Sequence, residues 1–294
     1  MKRLRTLAVV VASAGLLCGA GVVGATGIAS AGTGGAKATA GATVPRPGGP
    51  IIRAKVSGNS SSSPTISENW SGYAALASKP FTYAHTRFVQ PAVTCDGKAN
   101  RWTSNWVGLD GFSNGTVEQD GTFAACLGKN NMTPQYVAWY EMFPAGSVSV
   151  FNVKAGDVID ALVRFSGGKF HLKVSDLTSG KSASKTAACA QCKRTSAESI
   201  IERPALCNNS FTKCFITALA NFGTATMSKN WAQVAGGKVT GFGAFNNVPI
   251  FMVNPLKSGG FISLDEVSGL SMSRFSAVWQ RSGGTVPITL GPKR

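Results

Sequence analysis

The sequence predicts an all-β protein, an antiparallel two-sheet β-sandwich of the concanavalin or jelly-roll kind, on three observations. Short aromatic and β-branched runs recur at strand-plus-turn spacing from Glu68 onward. Turn signals such as KAGD, TSGK and NNVP separate them. No stretch keeps a 3.6-residue apolar period long enough to insist on a helix. Many regularly spaced strands over this length favour two packed sheets, and no internal repeat is found.

Taken in chain order, residues 1–31 open with MKRLR, run apolar through LAVVVASAGLLCGAG and leave by Ala29-Ser30-Ala31. A basic head, a hydrophobic stretch and a small-residue exit make a secretory signal peptide. Cys18 offers a lipid-anchor alternative, but Leu17 stands where a lipobox needs a small side chain. No other segment approaches the roughly 18 apolar residues of a membrane span. The expectation is cleavage and a secreted, extracellular protein with no membrane contact afterwards.

Residues 32–66 are rich in Gly, Ala, Ser and Pro without a periodic apolar face, the composition of a disordered prosegment or linker. They carry Lys37, Arg46, Arg53 and Lys55 and no acid. Such a segment could pair with carboxylates of the folded domain near neutral pH and leave when they protonate; a passive spacer is the alternative. Residues 67–294 form the folded domain. Its strand candidates are WSGYAALA, HTRFVQPAV, RWTSNWVGL, QYVAWYEMF, SVSVFNVKAG, DVIDALVRFSG, GKFHLKVSDL, NVPIFMVN, GFISLDEVSG and SRFSAVWQRSG.

Beyond Cys18 there are six cysteines, Cys95, Cys126, Cys189, Cys192, Cys207 and Cys214. An even count in an exported chain reads as up to three disulfides. Cys189 and Cys192 have zinc-knuckle spacing, but there is no second CxxC and only His85 and His171 as histidines, so no metal is expected. Lys and Arg total 29 against 13 acids. The cations are scattered, without a basic helix or an aromatic RNA-binding motif, so nucleic acid is not an expected partner. A surface short of carboxylates has fewer paired groups to lose in acid.

Gly111-Phe112-Ser113-Asn114-Gly115 matches G-x-S-x-G, but that elbow needs a strand-to-helix turn and a downstream histidine base. Here the only later histidine is His171, inside an alternating strand, and the match reads as a hairpin turn. Carboxylates are the remaining reagents: Glu118, Asp120, Glu141, Glu198 and Glu202, each also readable as part of a solvated strand face. Alternation sorts TVEQDGT, residues 116–122. Glu118 and Asp120 share one face, read as the outward flank; Val117 and Gln119 share the inner or concave one. By the same rule Glu198, Ile200 and Glu202 share a face, so a glutamine and a glutamate could meet across a groove.

The stretches ENWSGY (68–73), NWVGLDG (105–111), VEQDGT (117–122), YVAWYEMFP (136–144), VKAGDVI (153–159), DLTSGK (176–181), RTSAESIIE (194–202) and FGTATM (222–227) occur in the order found in one family. In them the chain resembles the glutamic peptidases of the eqolisin type (family G1), acid-active secreted endopeptidases built on a double-sheet β-sandwich. The resemblance implies Gln119 and Glu202 as the catalytic pair, with Glu198 the rival for Glu202. It implies that Trp70, Trp106, Asp110, Trp139 and Glu141 line or support the substrate cleft. It implies no cofactor, polypeptide substrates and a monomer. Three departures stand out. Val137 replaces a family aspartate, and the surface is basic. Cys207 and Cys214 match a family disulfide, but Cys192 lacks its usual partner, for which Cys95 or Cys126 would have to substitute. The other reading, a carbohydrate-binding or glycoside-hydrolysing sandwich, would want a second carboxylate facing Glu202.

Overall fold

The computed structural model describes residues 43–46 (backbone only), 49–54, 65–128, 130, 132–208 and 213–288. The signal-peptide expectation, most of residues 32–66, and Lys37 and Lys55 lie outside the described residues.

Strand alternation is plain in Lys169–Asp176, where Phe170, Leu172, Val174 and Asp176 are buried while Lys169 and Lys173 are exposed. That strand belongs to an eight-stranded sheet running, neighbour by neighbour, through Ser182–Ala187, Lys169–Asp176, Val158–Ser166, Phe81–Val89, Thr224–Val234, Phe275–Trp279 and Asp265–Val267, with Thr240–Gly241 paired to Thr224–Val234. A nine-stranded sheet runs through Phe261–Ser263, Asn246–Pro255, Trp70–Leu76, Ser196–Glu202, Arg101–Leu109, Val117–Cys126, Gln135–Phe143 and Val148–Asn152. Thr65–Ser67 joins it parallel to Asn246–Pro255. A small third sheet pairs Thr43–Arg46, Ala205–Asn208, Cys214–Ile216 and Val286–Ile288. The all-β, two-sheet expectation holds.

The two large sheets pack through one apolar cluster that includes Val107, Leu109, Ala124, Ala197 and Ile201 from the first and Ala84, Phe88, Ile159, Val163 and Phe275 from the second. A second cluster, with Trp70, Trp106, Val117, Phe123, Trp139 and Ile200, covers the opposite face of the nine-stranded sheet. Its middle strands are therefore apolar on both sides, and all ten residues of Val117–Cys126 are buried.

That burial corrects one expectation. Glu118 and Asp120 do share a face, as alternation requires, but it turns inward between the sheets and not to water: both are 0 % exposed. Asp120 reaches the other sheet, accepting the backbone N–H groups of Leu162 (3.0 Å) and Lys173 (2.7 Å). Alternation tells which residues share a face, not which face is wet, and in a double-covered strand neither is. Nine of the thirteen acids are buried, namely Asp110, Glu118, Asp120, Glu141, Asp157, Asp176, Glu198, Glu202 and Asp265. The basic surface thus has a structural cause: the acids are inside.

The disulfides are Cys95–Cys126, Cys189–Cys192 and Cys207–Cys214. The last agrees with the family-derived pairing. Neither Cys95 nor Cys126 substitutes as the partner of Cys192: the two bond each other, and Cys192 closes on Cys189 three residues away. The Cys189 and Cys192 sulfurs lie beside Glu118 in a ligand-like cluster, but sulfurs joined in a disulfide are not thiolate ligands. Gly111–Gly115 forms the loop between Arg101–Leu109 and Val117–Cys126, with Ser113 hydrogen-bonded to Thr195 and no histidine partner, so the elbow motif is a turn.

Candidate active site

The outer face of the nine-stranded sheet is shaped by two close approaches. Gly121 lies opposite Trp106 on one neighbouring strand and Trp139 on the other. A Cβ there would stand 2.2 Å from the Asn105 carbonyl oxygen and 2.7 Å from Trp106. Gly108, opposite Gln119, would place a Cβ 3.0 Å from the Trp106 ring and 3.2 Å from the Gln119 Cβ. The two missing side chains let the Trp106 indole lie down on the sheet. Gly121→Ala is therefore expected to destabilise the fold by about 3 kcal/mol or more, since the clash is with backbone that cannot rotate away; a urea midpoint measures it.

Gln119 and Glu202 project from this face on either side of Arg101–Leu109. Gln119 pairs with Gly108 and Glu202 with Ser104, and Trp106 stands midway between those positions. Each is held. The Trp106 indole N–H donates to Glu202 Oε2 at 2.8 Å, and the Asn69 amide donates to Glu202 Oε1 at 3.4 Å. The Gln119 amide donates to Glu141 Oε2 at 3.0 Å. Gln119, Glu141 and Glu202 are 0 %, 1 % and 1 % exposed. Donors aimed at a carboxylate favour its charged form. Trp106→Phe removes one such donor, and the expected result is an acidic limb of the kcat profile displaced to higher pH, read from rates between about pH 2 and pH 6.

Glu198, on the same face as Glu202 and four residues before it, has the opposite surroundings. Burial pushes its carboxyl well above the ordinary range, against hydrogen bonds from Ser196 and the Phe112 N–H, and the nearby Asp110 carboxylate adds to the rise. It is held as a neutral acid, whereas Glu202 is supplied with N–H donors.

Trp70 packs edge-on to Trp106 with centroids 4.9 Å apart, and Trp139 joins the same cluster. Val137, where the family has an aspartate, packs against this cluster too. Glu141 faces Gln119. Asp110 does not face the cleft: its carboxylate accepts the backbone N–H groups of Lys193 (2.8 Å), Arg194 (2.6 Å) and Thr195 (2.7 Å) and the Asn114 amide (2.6 Å), tying down the loop that leads into the Glu202 strand. It sits at φ +69°, just past the end of the Trp106 strand. Asp110 thus supports the cleft through the backbone. Two residues were not singled out from sequence. Asn69, inside ENWSGY, reaches Glu202 with its amide nitrogen. Arg203, fully buried, donates to the Val253 (3.0 Å) and Gly284 (3.0 Å) carbonyls and to Asn254 (2.9 Å), fastening the end of the Glu202 strand to its surroundings.

The outer face of this double-sheet sandwich thus carries a buried amide, Gln119, and a buried carboxylate, Glu202. The chain belongs to the Peptidase A4 family, whose model matches residues 68–255, and acts on polypeptides. Its fold is similar to that of scytalido-glutamic peptidase solved with a transition state analog inhibitor: 21% identity, TM-score 0.61, covering 72% of this chain and 98% of that one. It is similar as well to SCP-B, a member of the eqolisin family of peptidases solved with the tripeptide Ala-Ile-His: 19% identity, TM-score 0.59, with 72% and 98% covered. No curated protein matches the chain.

Proposed function

We propose that the protein is a secreted, acid-active endopeptidase in which Gln119 and Glu202 activate one water against the scissile carbonyl. The observation that carries this reading is the placement of the amide and the carboxylate on one face, each held by its own partner. Glu202 as carboxylate takes a proton from the water and returns it to the leaving nitrogen. Gln119 offers both a donor and an acceptor, so it orients the water and then stabilises the oxyanion, an effect of about 3 kcal/mol in other hydrolases. Glu141, accepting from the Gln119 amide nitrogen, fixes which end of the amide faces which way. An amide does not titrate, so one ionisation alone needs to match the working pH. Activity is expected below about pH 5, around the reference glutamate value.

A glycosidase reading needs two carboxyl groups about 5–9.5 Å apart across the substrate. Glu198 and Glu202 share a strand four residues apart, about 13 Å, and Glu118 and Asp120 face the interior. No observation favours it. Assaying denatured protein and polysaccharides at about pH 3, below the reference glutamate pKa, tests both readings. Proteolysis that survives chelators and serine-directed reagents is expected; polysaccharide cleavage without proteolysis would overturn the reading.

A further inference from the structure

The described part of residues 32–66 includes a short strap, residues 49–54, that lies on the outer face beside Glu202. Ile51 packs against the cluster of Trp70, Trp106, Phe112, Val117 and Trp139. Its N–H donates to the Gly111 carbonyl at 3.2 Å. The next N–H, of Ile52, donates to Asn69 Oδ1 at 2.7 Å, while Asn69 Nδ2 donates to the Pro50 carbonyl at 3.2 Å. That same amide nitrogen is the one 3.4 Å from Glu202. The Ile52 carbonyl accepts the Glu68 N–H at 2.7 Å, and the Ala54 N–H donates to the Ile66 carbonyl at 3.0 Å. Both ends are fastened: Thr43–Arg46 pairs with Ala205–Asn208, just beyond Glu202, and Thr65–Ser67 pairs with Asn246–Pro255.

Backbone groups read one after another, with a branched side chain packed against an apolar cluster, are how an extended peptide is recognised. We propose that residues 49–54 are an intramolecular ligand of the peptide cleft, and that the subsite holding Ile51 takes a branched aliphatic side chain from substrates as well. This rests on the peptidase reading above and deepens it. It agrees with the near-zero exposure of Gln119, Glu141 and Glu202, in a site that has to admit a polypeptide.

Of the four cations in the expected charge pairing, only the Arg53 side chain is among the described residues. Arg53 donates to the Phe112 carbonyl at 3.1 Å and to Thr65, and its guanidinium lies 4.5 Å over the Phe112 ring; it meets no carboxylate among the described residues. Arg46's side chain is not described.

The test uses the full chain carrying Glu202→Gln, so that the strap is not cut, with and without Ile51→Asp. The probe is a fluorescein-labelled peptide of residues 47–56, PGGPIIRAKV. The Ile51→Asp chain is expected to bind it at least about tenfold more tightly than the chain with Ile51, as removal of an intramolecular competitor requires. The milder Ile51→Ser chain should fall between them and covers a folding failure of the first. Equal affinities, or binding by neither, overturn the proposal. Because the readout is binding, a failed proteolysis assay on the parent chain would strike the peptidase reading separately.

Discussion

Glu202→Gln is expected to abolish peptide cleavage, with kcat lowered about 10³-fold or more, while the circular dichroism spectrum and urea midpoint stay close to those of the parent. The size follows from the loss of the only general base and acid, a group worth about 10²–10⁴ by itself. Stability is largely spared because Gln keeps the volume and one oxygen to accept from the Trp106 indole, and only the longer 3.4 Å contact with the Asn69 amide is left facing an NH2 group. Gln119→Ala is expected to lower kcat about 10²–10³-fold by removing the oxyanion donor. It also strips Glu141 Oε2 of its amide partner, and Gln119→Glu would test the same position without changing its volume. Glu198→Gln supplies the control, with activity retained, because Glu198 is already neutral. Activity lost with Glu198 and kept with Glu202 would reverse the assignment.

The second large effect is on stability against pH. Burial raises the Glu118 carboxyl from 4.5 to about 9 and the Asp265 carboxyl from 3.8 to about 7, and it lifts Asp120 and Glu198 in the same direction. For each, the folded chain holds its proton at a pH where the unfolded chain has released it. Stability is then fully present below the unfolded values, near 4, and falls as pH rises toward the folded values. Each such group contributes a slope of up to about 1.4 kcal/mol per pH unit over that window. Asp160, lowered by His85 and Arg87 against the cost of burial, acts the other way, and its contribution is lost only as pH falls below the ordinary aspartate range. The urea midpoint should therefore be highest near pH 4 and decline steadily to pH 9. Glu118→Gln should flatten the upper part of that decline. A midpoint that rises from pH 4 to pH 7 would contradict it. Carboxyls cost less to bury when the medium keeps them protonated, so a core of this kind suits the acid working range proposed above.

How much of this was legible in the sequence depends on which physical rule carried each residue. The strands were readable because alternation is local: Lys169–Asp176 declares its buried face in eight letters. The grouping of Val117 with Gln119, and of Glu198 with Glu202, followed from the same rule. What alternation could not supply was the environment of each face. Glu118 and Asp120 read as a solvated flank because acids usually are, and only the second sheet, brought over them by the tertiary fold, makes that face dry. Apart from Cys207–Cys214, the disulfide pairing stayed open for a related reason. Cys95 and Cys126 stand 31 residues apart in sequence, and what joins them is the packing of distant segments. Asn69 and Arg203 were invisible as site residues because their roles are contacts over 133 and about fifty or more residues of chain. Gly121 carried a signal in hindsight, a glycine inside a strand, the usual mark of a close backbone approach.

The central claim is that one water, or the oxygen that replaces it in the tetrahedral intermediate, is shared by Gln119 and Glu202. Its most direct test is a crystal structure at about pH 4 with a peptide carrying a tetrahedral hydroxyl at the scissile position and with residues 49–54 displaced. The account predicts a single oxygen within about 3 Å of both the Gln119 amide and the Glu202 carboxylate. A bound peptide whose tetrahedral centre touches only one of the two, or a gap between them too wide for a single oxygen to bridge, would contradict it.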